Sequence, residues 1–173
     1  MKKVVLTFGF LSGGVSAAMM LATVPFMDRI GFDHGAIVGY TAMVISFLFV
    51  YFGIRSYRDN VLGGSITFGR AFGAGLLITV ISCVCYVAAW EVVYFAFMPD
   101  FVDRYSAHVI ANLQAKGASA AEIEQTSVRL TQFKTMYANP LINVAFTFIE
   151  PFPVGLLMTL ISAAGLRRKT PRS

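Results

Sequence analysis

Four uncharged or nearly uncharged stretches alternate with polar connections along the chain. Val4 to Met27 carries no charge over 24 residues, and Gly35 to Ile54 none over 20. Ala71 to Met98 holds a single acid, Glu91, and Leu141 to Leu166 a single acid, Glu150. As helices, these stretches reach the ~30 Å hydrocarbon core of a bilayer. The pattern predicts an all-α protein, an integral membrane four-helix bundle with spans at about residues 4–27, 35–54, 69–98 and 140–166. From Ala71 to Met98 a helix would run about 42 Å, so the third span must tilt or project.

The connections are of two kinds. Asp28 to His34 reads as a short polar turn, and Arg55 to Asn60 ends the second stretch sharply. Paired glycines at Gly63 and Gly64 mark a further turn, after which Ser65 or Thr67 is placed to cap a helix. Residues 100–138 are different, because there the apolar positions recur at helical spacing. Phe101, Val102, Tyr105, Val109 and Leu113 form one stripe, and Gly117 follows where a helix would stop. Ser119 to Glu122 has the S-x-x-E form of a capping box. Ile123, Leu130, Phe133 and Tyr137 line one face of the helix it starts. The region is expected to form an extramembrane helical hairpin between spans three and four. Its apolar stripes must cover each other, the mouth of the bundle or the lipid interface. Pro140 then suits a first helical residue.

Small residues set the expected packing. Gly9, Gly13 and Ala17 fall four apart, as do Gly14, Ala18 and Ala22, and each row would let a second helix approach closely. At least one of the two faces is expected to meet another helix. Met1-Lys2-Lys3 before the first stretch also suits a signal peptide. The apolar part of such a peptide runs only about 7–15 residues, so a retained span is the expectation.

Composition agrees with the pattern. The chain is 57% hydrophobic and 13% charged, against about 25% charged in soluble domains, and its mean hydropathy is +0.69. A net charge of +5 raises the question of nucleic acid, but the cations flank the apolar stretches, where they serve topology and anionic headgroups. With both termini cytoplasmic, the inner portions hold Lys2, Lys3, Arg55, Arg58, Arg70, Arg167, Arg168, Lys169 and Arg172. The outer portions hold Arg29, Arg104, Lys116, Arg129 and Lys134, four of them spread over the hairpin. This asymmetry orients the chain, with Arg70 as an interfacial anchor. Cys83 and Cys85, the two cysteines, point to different helical faces and supply too few ligands for a metal. The glycines near Arg70 lack the Gly-Lys-Ser/Thr of a phosphate loop. No cofactor and no nucleic-acid partner is called for. The lipid bilayer is the expected environment, with a membrane-protein partner or a second copy of the chain as possible company.

The segments Gly63-Gly64, Ile66-Thr67-Phe68-Gly69-Arg70-Ala71-Phe72 and Pro99-Asp100-Phe101 resemble a family of four-span bacterial membrane proteins classed as a domain of unknown function. The resemblance covers the chain from the first span to about Leu166. It implies a bacterial cytoplasmic-membrane location and brings no activity or catalytic residues with it.

Candidate chemistry gathers in the last stretch. Asn143, Thr147 and Glu150 follow the i, i+4, i+7 rule and share one helical face. Pro151 and Pro153 come next and remove two backbone donors, so a kink is expected there. An acid at membrane depth normally faces a protein interior or a wet cavity. Glu150 is therefore expected to point into the bundle, in its neutral form, in a pocket with Asn143 and Thr147. Glu91 lies eight residues before Pro99 and Glu150 ten after Pro140. Antiparallel helices would bring the two acids to nearly one level, with Tyr86 and Tyr94 as hydrogen-bond donors beside Glu91. The alternative for Glu91 is a wet position in an aromatic belt with Trp90 and Tyr94.

Three function classes fit. The first is a non-catalytic accessory or binding protein with a carboxylate pocket. The second is a small proton- or cation-coupled transporter acting as an oligomer, which a broken helix beside an acid would suit. The third is a membrane enzyme acting on a lipid-linked substrate. His34 and His108 stand alone in the sequence, and no nucleophile–base pair or metal motif marks a catalytic residue.

Overall fold

A computed structural model describes residues 1–168; Lys169 and Arg172 of the inner charge set lie outside them. The chain is all-α, with helices α1 (Lys2–Thr23), α2 (Met27–Asn60), α3 (Phe68–Val92), α4 (Phe101–Ala115), α5 (Ala120–Tyr137), α6 (Pro140–Ile149) and α7 (Pro151–Leu166). Three helical stretches are long and apolar enough to cross a membrane: Lys2–Asn60, Phe68–Phe97 and Pro140–Leu166. The first doubles back on itself, and α1 lies beside α2.

The reversal falls within the polar stretch Asp28 to His34 and is tight. A single 3-10 turn, Val24–Phe26, leads directly into α2, and the helical path breaks at Gly31 alone, with φ 69° and ψ 168°. A side chain there would be strained, whereas glycine adopts a positive φ freely. The polar residues on either side of the break lie in helical turns.

Helices α2 and α3 occupy the middle, with α1 against both on one side and α7 against both on the other. Glycine makes these contacts close. A Cβ on Gly9 would lie 2.8 Å from Ile81, and one on Gly13 would overlap Cys85. Gly14, on the other face, has open space around its Cβ position, and Ala18 and Ala22 are exposed. Of the two small-residue faces on α1, the Gly9–Gly13 face is therefore the packed one. Gly53 meets Ile78 and Phe8, Gly75 meets Ile54 and Thr159, and Gly155 meets Thr79 and Phe47. These pairs run α1 antiparallel to α2, α2 to α3, and α3 to α7.

Hydroxyl groups join the same helices. The Ser12 hydroxyl donates to the Ser46 carbonyl (2.8 Å) and lies 2.9 Å from Ser82 Oγ. Thr79 Oγ1 donates to the Gly155 carbonyl (3.3 Å) and lies 3.0 Å from Thr159 Oγ1. These hydroxyls are buried, and buried hydroxyls pair with protein groups.

The end of the molecule that holds the chain's start is closed by polar ties. Ile66 and Arg168 exchange backbone hydrogen bonds of 3.2 and 3.0 Å. Arg58 is 8% exposed. Its Nε donates to Asp59 (2.6 Å), and its Nη1 reaches the Leu166 carbonyl at the end of α7 (3.4 Å). A guanidinium at a helix C-terminus satisfies an orphan carbonyl and complements the dipole. The sequence pattern counts Arg58 only as a topology charge, although it joins α2 to α7.

At the far end, α3 widens into a π-helical turn over Val93–Phe97. The hairpin of α4 and α5 follows and turns at Gly117, where φ is 73°. Ser119 caps α5 by accepting from the Glu122 amide, and Thr67 caps α3 by accepting from that of Arg70.

Candidate functional site

The break between α6 and α7 falls at Glu150. Its backbone stays right-handed helical (φ −64°, ψ −57°), so the interruption is the loss of amide donors at Pro151 and Pro153, not a change of fold. Asn143 and Thr147 are buried on α6, one turn apart. Glu150 follows on the same side, but it is exposed. It lies along an open-sided groove of about 450 Å³, not enclosed among the helices.

Four elements besides α6 wall this groove. Phe32 and Tyr40 come from α2, Tyr86 and Trp90 from α3, Phe101 and Tyr105 from α4, and Phe133 and Tyr137 from α5. The rings form a continuous belt. Phe32 meets Phe101 and Tyr105 edge-on at 5.8 and 5.6 Å, and Trp90 meets Phe101 at 5.0 Å. Phe133 carries the belt onward to Tyr137 at 5.1 Å and to Phe146 at 5.9 Å. The apolar stripes of the hairpin thus cover the mouth of the helix set. A smaller cavity of about 70 Å³ adjoins the groove through Met27, Gly39 and Tyr86.

Polar contacts are few and directional. The Tyr86 hydroxyl donates to Glu150 Oε2 at 3.2 Å. Trp90 Nε1 donates to the Tyr137 oxygen at 2.8 Å. The Tyr137 and Thr147 hydroxyls lie 3.3 Å apart, and the Thr147 hydroxyl donates to Asn143 Oδ1 at 3.1 Å. Each hydroxyl has one proton and an indole only donates, so the chain runs from Trp90 through Tyr137 and Thr147 to Asn143. Burial pushes the Tyr137 phenol above its ordinary range, while its bonds to Thr147 and Trp90 pull the other way.

The two acids take different surroundings. Glu91 is half-buried, and its enclosed Oε1 has no hydrogen-bond partner among the described residues. Tyr86, expected to serve Glu91, serves Glu150 instead. The Tyr94 ring lies tilted beside Trp90 (6.1 Å) and meets the Tyr137 ring edge-on (5.4 Å). A phenol–carboxylate pair joins α3 to the α6–α7 break through Tyr86 and Glu150, and Glu91 is not among the residues lining the groove. Asn143 Nδ2 is a second enclosed atom without a protein partner. Arg70 is exposed at the start of α3, at the opposite end of the molecule.

Sequence periodicity named Asn143, Thr147 and Glu150 but missed Trp90, Tyr137 and Tyr40 as groove residues. Tyr137 carried a signal, since it closes the apolar stripe of α5 directly before Pro140. Tyr40 carried none, being one aromatic in an apolar run.

Ion pairs hold the hairpin beside the Gly31 break. Arg104 pairs with Asp28, and His108 Nε2 lies 3.2 Å from Asp33. Lys134 pairs with Asp103 between α5 and α4. Among the described residues, no group of three or more His, Cys, Asp or Glu side chains could hold a metal ion.

No curated protein and no solved structure matches the chain. The family described as "Protein of unknown function (DUF4199)" matches residues 7–168. That match spans nearly the whole sequence, and the chain belongs to this family.

Proposed function

We propose that the chain is a non-catalytic binding protein of the bacterial cytoplasmic membrane. It crosses the bilayer four times, both termini are cytoplasmic, and the α4–α5 hairpin lies outside. Three long apolar stretches, the first doubled back at Gly31, support four crossings. The excess of cations at the end holding Arg55, Arg58, Arg70 and Arg167 supports the orientation. The lipid bilayer surrounds the helices, and a membrane-protein partner or a second copy of the chain meets the exposed apolar flanks.

One observation carries the binding role: an aromatic groove with an acid, Glu150, held by Tyr86 at a helix break. Concave sites with mostly apolar walls and a few converging polar groups are typical of ligand pockets. The polar groups serve position, since Trp90, Tyr137, Thr147 and Asn143 bond in a line. Thermal unfolding of the purified protein, screened over phospholipids, metal and organic cations and pH, tests the role. A second protein, Gly39→Leu, fills the groove at a position where a Cβ meets nothing within 4 Å. A compound that stabilises the wild type but not Gly39→Leu is the expected result. Stabilisation of both proteins alike by every compound, or of neither, would contradict it.

The helix break beside Glu150 favours a second reading, a proton- or cation-coupled transporter working as an oligomer. Reconstituted vesicles with an imposed cation or proton gradient would show Glu150-dependent flux in that case, and no flux if the protein only binds.

A further inference from the structure

We propose that the groove around Glu150 takes a free lipophilic organic ammonium ion. The inference rests on the reading of the groove as a ligand site and names the chemistry of its occupant.

Charge is the first argument. Among the described residues, Glu150 is the one charged residue in the wall of the groove, although the chain as a whole carries +5. No lysine, arginine or histidine of the lining neutralises it, and its described partner is the Tyr86 hydroxyl. A cationic occupant would complete the pair among walls that are otherwise aromatic and uncharged.

The walls then choose the kind of cation. Hard metal ions take six or more oxygen ligands, and here one carboxylate stands among rings. Tyr40, Tyr86, Trp90, Tyr105 and Tyr137 offer the electron-rich faces that attract weakly hydrated organic cations. Tyr40 is 49% exposed, so part of its surface is open to such an occupant. The volume of about 450 Å³ lies in the range of pockets for small organic molecules.

The same lining argues against a phospholipid amine. In a zwitterionic headgroup the ammonium is joined to a phosphate, and the groove wall offers that phosphate no cation. A free ammonium ion has no such unpaired neighbour.

The chain contains one tryptophan, and it is Trp90 in the groove wall, so its emission reports occupancy directly. The probe is benzyltrimethylammonium, and its control is neopentylbenzene, the uncharged carbon analogue of the same shape. Titration of the purified protein in a neutral detergent should change Trp90 emission saturably with the cation and not with the hydrocarbon. Glu150→Gln should weaken the cation at least tenfold. Tyr40→Phe should keep the affinity and Tyr40→Leu lower it several-fold, a contrast that survives should Glu150→Gln fail to fold. In Trp90→Phe the optical signal should vanish while thermal stabilisation by the cation remains.

Equal responses to the cation and its neutral analogue would overturn the proposal. So would unchanged cation affinity in Glu150→Gln, or a response to added phosphatidylethanolamine with none to benzyltrimethylammonium. If hydrocarbon or lipid binds and Gly39→Leu abolishes that binding, the groove is a ligand site and only its cationic occupant is wrong. If no probe gives a response sensitive to Gly39→Leu, the ligand site itself is refuted.

Discussion

The two ends of the helix set are built on opposite rules. Towards the end closed by Arg58 and the Ile66–Arg168 bridge, glycines bring helices together until no further carbon fits. Gly53, Gly75 and Gly155 each face a side chain within van der Waals contact of an added Cβ. Towards the hairpin, Gly35 and Gly39 sit on α2 with nothing within 4 Å, and the rings opposite them stand apart. The same residue type closes one half and opens the other. What differs is the neighbour, a β-branched or aromatic side chain from an adjacent helix in one half and a groove in the other. Small residues in an apolar helix therefore mark close packing only where a partner helix arrives.

The largest effect is expected where the contact is tightest. Gly155→Ala puts a Cβ against Thr79 and Phe47 and should lower stability by about 1–3 kcal/mol, the range for overpacking. Gly13→Leu should be worse, whereas Gly14→Leu, one residue on, should leave thermal unfolding in detergent nearly unchanged. Equal losses at Gly13 and Gly14 would erase the distinction between packed and open faces of α1.

A smaller effect belongs to the hydroxyl ties. Thr79→Val keeps the shape but removes the link to Thr159 and Gly155. Interhelical hydrogen bonds in membranes average about 0.6 kcal/mol, so the loss should be about that size. A loss as large as that of Gly155→Ala would mean that polar ties, not close approach, hold this half together.

How far the sequence shows this division depends on the kind of information each residue carries. Helix ends are legible because their chemistry is local: Thr67, Gly117, Ser119 and Pro140 act on backbone groups within a few residues. The break at Glu150 is legible for the same reason, since Pro151 and Pro153 remove their own amides. Periodicity also puts Asn143, Thr147 and Glu150 on one side of a helix. What faces that side is not local. Tyr86 and Glu91 stand five residues apart, about 140° around the helix, so spacing alone separates them, and only the packing of α3 beside the α6–α7 break brings Tyr86 to Glu150. The choice between the Gly9–Gly13 and Gly14–Ala18 faces is hidden likewise, because both have the same spacing. The Asp28–His34 stretch locates the reversal, since the helical path breaks at Gly31 inside it, but its pairing with the hairpin through Asp28 and Asp33 is not local and stays hidden.

The smallest expected effect lies at the closed end. The hydrogen bond from Arg58 holds the Asp59 carboxyl below its ordinary value. A carboxyl lowered on folding contributes stability above its unfolded pKa, and that contribution fades as pH falls through the folded one. Asp59→Asn should therefore reduce stability at neutral pH and flatten the decline on the acid side. The change should be slight, since Asp59 is exposed and screened. Identical acid profiles for wild type and Asp59→Asn would show that the Arg58–Asp59 pair adds nothing to folding stability.

The division into a closed and an open half is tested most directly on a single helix face. Gly39 and Ser46 stand seven residues apart on α2, close to two turns, and so point the same way. Ser46 is 1% exposed, while Gly39 borders the groove. A maleimide reacts with thiolate, which forms where water reaches. In a background lacking Cys83 and Cys85, Gly39→Cys should label readily in the folded, detergent-solubilised protein, and Ser46→Cys should label only after unfolding. Labelling of both at one rate, or of Ser46→Cys alone, would contradict an open groove above a closed helix core.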